Sequence, residues 1–286
     1  MAQPASPPAG PPPVTIDYKV FNQRPNDPPR HVEVLATAEE LRGLVECGFL
    51  VREGLYAGET LQRVQAAMDR VEAAERAMRG PGEGRSTSRE YGGLFLRYLM
   101  DKDPVSLAML RFQPTLCVAR AMLGPLVQIR GMTARITYPD QPNQETHWHQ
   151  HLRVVSNPMP PWFSRPHGLD VLVYLDDLDD ATGPLCVLPG SHRRLDAEPA
   201  PHLYEDLPGQ EVFHFTAGDA VLMHSNLWHR ARPTTARGHK RRLLLYSYAP
   251  TWLRAAPYGT TPEHGRTQAL LASADEETLL GLGGYT

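Results

Sequence analysis

From about residue 126 the chain is a series of short apolar runs, each closed by Gly, Pro, Asn or Asp, with no amphipathic helical stretch between them. Antiparallel strands need that texture. Alternating side chains give each strand one face to bury, and turn residues supply the backbone angles that reverse the chain. The pattern predicts strands over 127–138, 145–155, 169–175, 185–188, 211–215, 220–223 and 241–248. Short strands in succession imply an antiparallel sandwich or jelly roll, a mainly β fold with helices elsewhere.

The N-terminal half reads differently. Thr37 and Glu40 have capping-box spacing ahead of Leu41, Leu44 and Val45, so a helix starts there and stops near Gly48. Residues 49–51 read as a short buried strand, and Leu61, Val64, Met68, Val71 and Met78 mark the apolar face of a second helix. Glycines and small polar residues make 80–93 a mobile loop, and 94–122 is helix-like with breaks at Asp103-Pro104 and Gln113-Pro114. Residues 1–13 hold six prolines and almost nothing to bury, so a disordered tail is expected. Without repeat or linker, 14–286 reads as one domain. Helices over about 37–125 pack on one sheet of a β core over about 126–250, and an extension covers 251–286.

The balance of 29 basic and 32 acidic residues, a net charge of -3, argues against a general nucleic-acid or anionic-membrane binder. No run of about 18 apolar residues offers a membrane span, and the N-terminus lacks the pattern of a signal peptide. Cys47, Cys117 and Cys186 are odd in number, far apart and without CxxC spacing, which argues against a disulfide framework or thiolate zinc finger. A cytoplasmic protein is expected.

The chemistry is densest at 145–151, Glu-Thr-His-Trp-His-Gln-His. On a strand, His147, His149 and His151 share one face, and Trp148 and Gln150 take the other, with Trp148 expected in the core. His224 and His229 form a later cluster. A strand-borne pair plus one distant histidine can hold a divalent metal and leave positions open for water or substrate. Spacing alone leaves zinc and iron both open.

The flanking segments are more specific. They comprise EELRGLVECGFLVREGL, the YLMDKDP stretch around Asp101, Gly183-Pro-Leu-Cys-Val-Leu-Pro-Gly-Ser-His192-Arg193, the Gly218-Asp219 turn of GDAVLMH, and Lys240-Arg241-Arg242-Leu-Leu-Leu. Together, over about 37–248, they resemble the phytanoyl-CoA dioxygenase family of iron(II)/2-oxoglutarate oxygenases. The resemblance implies a double-stranded β-helix, the cupin-like jelly roll, with Fe(II) at its open end. In that family a His-x-Asp pair and a distal histidine hold the metal, and these positions map onto His149, His151 and His229. The arginine that anchors the co-substrate 2-oxoglutarate maps best onto Arg241. The spacing is one residue longer than expected, so Arg242 or Lys240 are alternatives. Alternation sends Arg241 and Arg242 to opposite faces, so only one enters the barrel. A planar guanidinium suits a carboxylate because it donates two parallel hydrogen bonds.

One departure matters. At the family's carboxylate position stands His151. Three neutral imidazoles leave the centre one unit more positive than two histidines and a carboxylate, which shifts its redox potential and metal preference. A histidine also fills the room that related halogenases leave for chloride, so halogenation is not expected. Glu145 supplies the missing carboxylate only if the strand bends or bulges. The resemblance implies oxidation, most simply hydroxylation, of a C–H bond in a small organic substrate, with O2 and 2-oxoglutarate consumed. Two alternatives stay open: a three-histidine metalloenzyme independent of 2-oxoglutarate, either a dioxygenase or a zinc hydrolase, and a non-catalytic binding protein on the same fold. His192 and His224 are expected in supporting roles. The proline-rich stretch 154–167, with Trp162 and Phe163, reads as a stiff loop at the barrel mouth, and 80–93 as a lid. Arg135 and Arg165 are candidates to receive an anionic substrate group.

Overall fold

The structure is a computed structural model that describes residues 14–18, 30–78, 87–88, 93–139, 145–151, 168–194, 203–251, 253 and 275. The expected tail, the loop 154–167, most of the loop 80–93 and most of the extension 251–286 lie outside the described residues.

A hairpin that the apolar pattern did not predict comes first, β1 (Val14–Tyr18) paired antiparallel with β2 (Arg30–Val34). Thr37 then caps α1 (Ala38–Glu46). Its hydroxyl accepts from the Glu40 N–H, and the Glu40 carboxylate accepts from the Thr37 N–H at 2.6 Å. Gly48, at φ +91, turns the chain into β3 (Phe49–Arg52), and a Cβ there would overlap the His192 ring. Next, α2 (Gly58–Met78) buries Val64, Ala67, Met68 and Val71.

The stretch 94–122 is not helical throughout. β4 (Thr87–Ser88) pairs with β5 (Leu94–Leu96), and β5 pairs with β6 (Val127–Thr137). Leu94 and Leu96 are buried in that pairing, so tertiary contact overrides the local helical pattern. The expected breaks are present: α3 (Leu99–Lys102), α4 (Pro104–Ala108), a 3-10 helix (Met109–Arg111) and α5 (Gln113–Leu123) follow one another. Pro104 and Pro114 occupy first-turn positions, where a missing N–H costs nothing.

Two sheets make the β core. The larger runs β3, β10 (Ala220–His224), β7 (Leu169–Tyr174), β12 (Arg241–Pro250), β6, β5, β4. The smaller runs β11 (His229–Ala231), β8 (Leu185–Val187), β9 (Glu211–Phe213). Alternation along β12 splits its side chains between two apolar layers. Leu244, Tyr246 and Tyr248 join the helices in the main core, whereas Leu243 and Leu245 pack with Leu172, Tyr174, Val221, Val187 and Phe213 between the sheets. The architecture is a cupin-like jelly roll with helices packed on one sheet. Among the described residues, no helix is long and apolar enough to cross a membrane.

The strand expected over 145–155 is corrected. Its described part, 145–151, meets β11 through one antiparallel bridge, His149 with His229. Thr146, Trp148 and His151 donate their N–H groups to Ala231, Leu203 and Ser225, so this backbone is shared among three segments rather than laddered to one.

Candidate metal centre

The bridge between His149 and His229 brings the two histidine clusters to one place. Ring nitrogens of His149, His151 and His229 all lie within 4.8 Å of one another, and Nε2 of His151 is 3.2 Å from Nε2 of His229. Two nitrogens, each about 2.1 Å from one ion, are about 3.0 Å apart at a right angle and about 3.4 Å apart at the tetrahedral angle. The observed separation falls between these limits.

The other ring nitrogens face acceptors. Nδ1 of His149 is 2.8 Å from the carbonyl oxygen of His147, and Nδ1 of His229 is 2.9 Å from that of Leu227. Nδ1 of His151 is 2.8 Å from Oδ2 of Asp170. A proton on Nδ1 of His149 or His229 donates to its carbonyl, and one on Nδ1 of His151 faces the Asp170 carboxylate at ion-pair distance without hydrogen-bond alignment; each leaves a lone pair on Nε2, the tautomer a metal requires. Two such lone pairs at 3.2 Å repel one another unless a cation or a proton lies between them. The donor set therefore fits a divalent ion bound through three Nε2 atoms.

Asp170 is the residue that sequence reasoning missed. It is fully buried, its Oδ1 accepts from the Ser247 hydroxyl, and Arg130 Nη2 lies 4.0 Å from the same oxygen. Burial pushes this carboxyl up, but His151, Arg130 and Ser247 outweigh it and hold the carboxyl well below the usual range. A signal was available, because Asp170 is the lone charge in the strand Leu-Asp-Val-Leu-Val-Tyr. An apolar strand tolerates a buried carboxylate only with partners. Glu145, considered for that part, instead has Oε2 4.0 Å from Arg230 Nη1.

His147, His192 and His224 are engaged elsewhere. The His147 ring lies 5.7 Å from that of His149 and 6.0 Å from Tyr204, and it is not in the three-nitrogen group. His192 Nε2 is 3.0 Å from the carbonyl oxygen of Val45, and His224 Nδ1 accepts from the Asn226 N–H. Trp148 is buried and donates Nε1–H to the carbonyl of Glu205, and the Gln150 side chain donates to the carbonyl of Asn226. These two contacts hold the segment on either side of His149.

The basic trio divides as alternation requires. Arg242 is bound by Asp176 and Asp69, and Lys240 by Asp69 and Glu72, beside α2. Arg241 turns the other way and is 1% exposed. Its Nη1 donates to the backbone carbonyls of Thr182 and Gly183, Nε lacks a partner, and no carboxylate among the described residues pairs with it. Burial pushes this guanidinium below its ordinary value. Arg135, opposite Leu243 in the ladder, is also buried, with its guanidinium 5.4 Å from the Phe95 ring centroid. Arg165 lies outside the described residues.

Residues 44–242 match the family model of phytanoyl-CoA dioxygenase. Ectoine dioxygenase of Bordetella parapertussis is 26% identical over 187 residues, which covers 61% of this chain and 57% of that protein. Ectoine dioxygenase of Bordetella bronchiseptica is 25% identical with the same coverage, so the chain matches little more than half the length of these relatives. Among solved structures, HygX from Streptomyces hygroscopicus with nickel and 2-oxoglutarate bound aligns with a TM-score of 0.60 at 18% identity, covering 77% of this chain and 89% of HygX. The non-heme alpha ketoglutarate dependent carbocyclase SnoK from nogalamycin biosynthesis aligns at 0.58 and 18%, covering 84% and 92%. At such identities the likeness is one of fold, and the fold shared is the cupin-like jelly roll.

Proposed function

Because this chain belongs to the phytanoyl-CoA dioxygenase family, we propose that it is a non-haem iron(II)/2-oxoglutarate-dependent oxygenase. It oxidises, most simply by hydroxylation, a C–H bond of a small organic substrate. His149, His151 and His229 would hold Fe(II) through Nε2. Arg241, rather than Arg242, would bind the far carboxylate of 2-oxoglutarate.

The observation that carries this reading is Arg241, a buried guanidinium with no carboxylate beside it among the described residues. A buried charge without a counter-ion costs on the order of several kcal/mol, and an anionic co-substrate removes that cost. Fe(II) and 2-oxoglutarate, when bound, supply the oxidising power as O2 is consumed and succinate and carbon dioxide are released. The protein's share is positional. Asp170 and the carbonyls of His147 and Leu227 orient the imidazoles. Leu172, Tyr174, Leu243 and Leu245 keep the space between the sheets apolar and exclude water. The ectoine dioxygenase relatives support a small organic substrate for this chain as well.

The test is an anaerobic titration of metal-free protein with Fe(II), then 2-oxoglutarate, watching for the visible charge-transfer band of the chelate. A band that forms in the native protein and is lost in Arg241→Ala supports the assignment. Stoichiometric iron with no band would sink it and favour a three-histidine enzyme independent of 2-oxoglutarate. That second reading draws on the histidine at position 151. Metal affinity separates the ligands: His151→Ala is expected to weaken binding strongly, and His147→Ala to leave it within a few-fold. The reverse pattern would move the assignment two residues upstream.

A further inference from the structure

Asp170 carries a charge in a place that neither packing nor strand pairing calls for. Leu169 and Val171 beside it are fully buried, and Ser247, its partner across the ladder on β12, supplies a hydroxyl to Oδ1. Oδ2 lies 2.8 Å from His151 Nδ1, with Arg130 at 4.0 Å from Oδ1. The Nδ1 atoms of His149 and His229 meet uncharged backbone carbonyls instead. The carboxylate thus stands behind the one imidazole that occupies the family's carboxylate position.

We propose that Asp170 is a positioning residue that takes over the electrostatic part of the carboxylate missing at residue 151. As a buried carboxylate 2.8 Å from Nδ1 it favours the tautomer with the proton on that nitrogen and makes Nε2 of His151 a stronger donor. The centre is then less cationic than three independent imidazoles would make it. This rests on the reading of His149, His151 and His229 as metal ligands. It has a counter-intuitive corollary. His151→Asp, which restores the His-x-Asp pattern, sets a second carboxylate toward a buried one, so it should bind metal poorly until Asp170 is neutralised.

The experiment measures Co(II) affinity by competition with a chromophoric chelator for the native protein, Asp170→Asn, His151→Asp, the double variant and His151→Ala. Asp170→Asn keeps the shape and removes the charge, and a fall of about 10- to 100-fold is expected. His151→Asp alone should also weaken binding, and the double variant should recover most of the loss. Proton NMR of the Co(II) protein adds a readout that a merely structural role would not move. Each imidazole bound through Nε2 gives a far-shifted, exchangeable Nδ1–H signal, and Asp170→Asn should displace the His151 signal while those of His149 and His229 stay. Should Asp170→Asn fold poorly, Ser247→Ala, which removes only the anchoring hydroxyl, should displace the same signal by a smaller amount. Native affinity in Asp170→Asn, or a double variant no tighter than His151→Asp, overturns the proposal while leaving the ligands in place. Native affinity in His151→Ala brings down the ligand assignment, and this proposal with it.

Discussion

The three thiols show how far a single residue's surroundings decide its chemistry. Burial pushes the Cys117 and Cys186 thiols up, whereas Cys47 is partly exposed. The thiolate is the reactive form, so at pH 8 one equivalent of a disulfide reagent should react quickly, at Cys47, and two more only in denaturant. Three fast equivalents would contradict the burial. The candidate centre shows the same dependence on surroundings. Alternation alone separates Arg241 from Arg242, since that rule is local and the strand is regular. The contact of Asp170 with His151 joins residues from two segments, and no spacing rule links an aspartate on β7 to a histidine outside any regular strand.

At the scale of elements, legibility follows how local the cause is. The capping box of α1 lies within four residues of sequence and was readable there. Thr37→Ala is expected to cost about 1 kcal/mol and to lower the melting temperature by a few degrees, measured by calorimetry. Gly218 answers to a tertiary cause. It sits at φ +100, and a Cβ there would overlap the Tyr56 carbonyl oxygen, so Gly218→Ala should destabilise more than a surface substitution does. A melting temperature unchanged in Gly218→Ala would show that the turn relaxes. β5 and the hairpin of β1 and β2 escaped sequence reading for a related reason. Leu94 and Leu96 become strand residues only because β6 lies beside them, and among the described residues β1 has β2 alone as its sheet partner.

For the molecule as a whole, the ionic cluster of Asp69, Glu72, Lys240, Arg242 and Asp176 ties α2 to the start of β12. Burial pushes the Glu72 carboxyl up, but Lys240, Tyr138 and Arg76 more than cancel it, so Glu72 titrates below its ordinary range. A carboxyl depressed in the folded state adds stability that is fully present above its unfolded pKa of about 4.3 and is lost as pH falls through the lower folded value. Melting temperature should therefore drop on acidification below about pH 4.3, and less steeply in Glu72→Gln. Identical acid limbs for the two proteins would remove Glu72 from the account. An antiparallel sandwich or jelly roll was legible from punctuation alone, because an antiparallel fold repeats one local rule strand after strand, and the family resemblance chose the jelly roll. The same topology has a consequence for folding. His151 and His229 are 78 residues apart and meet only when the barrel mouth has closed. An unfolded chain offers no such chelate, so a divalent ion held by these histidines would act as a fastener on the finished topology. Chelators should then behave as mild denaturants of this protein, with thermal resistance rising as the logarithm of free metal.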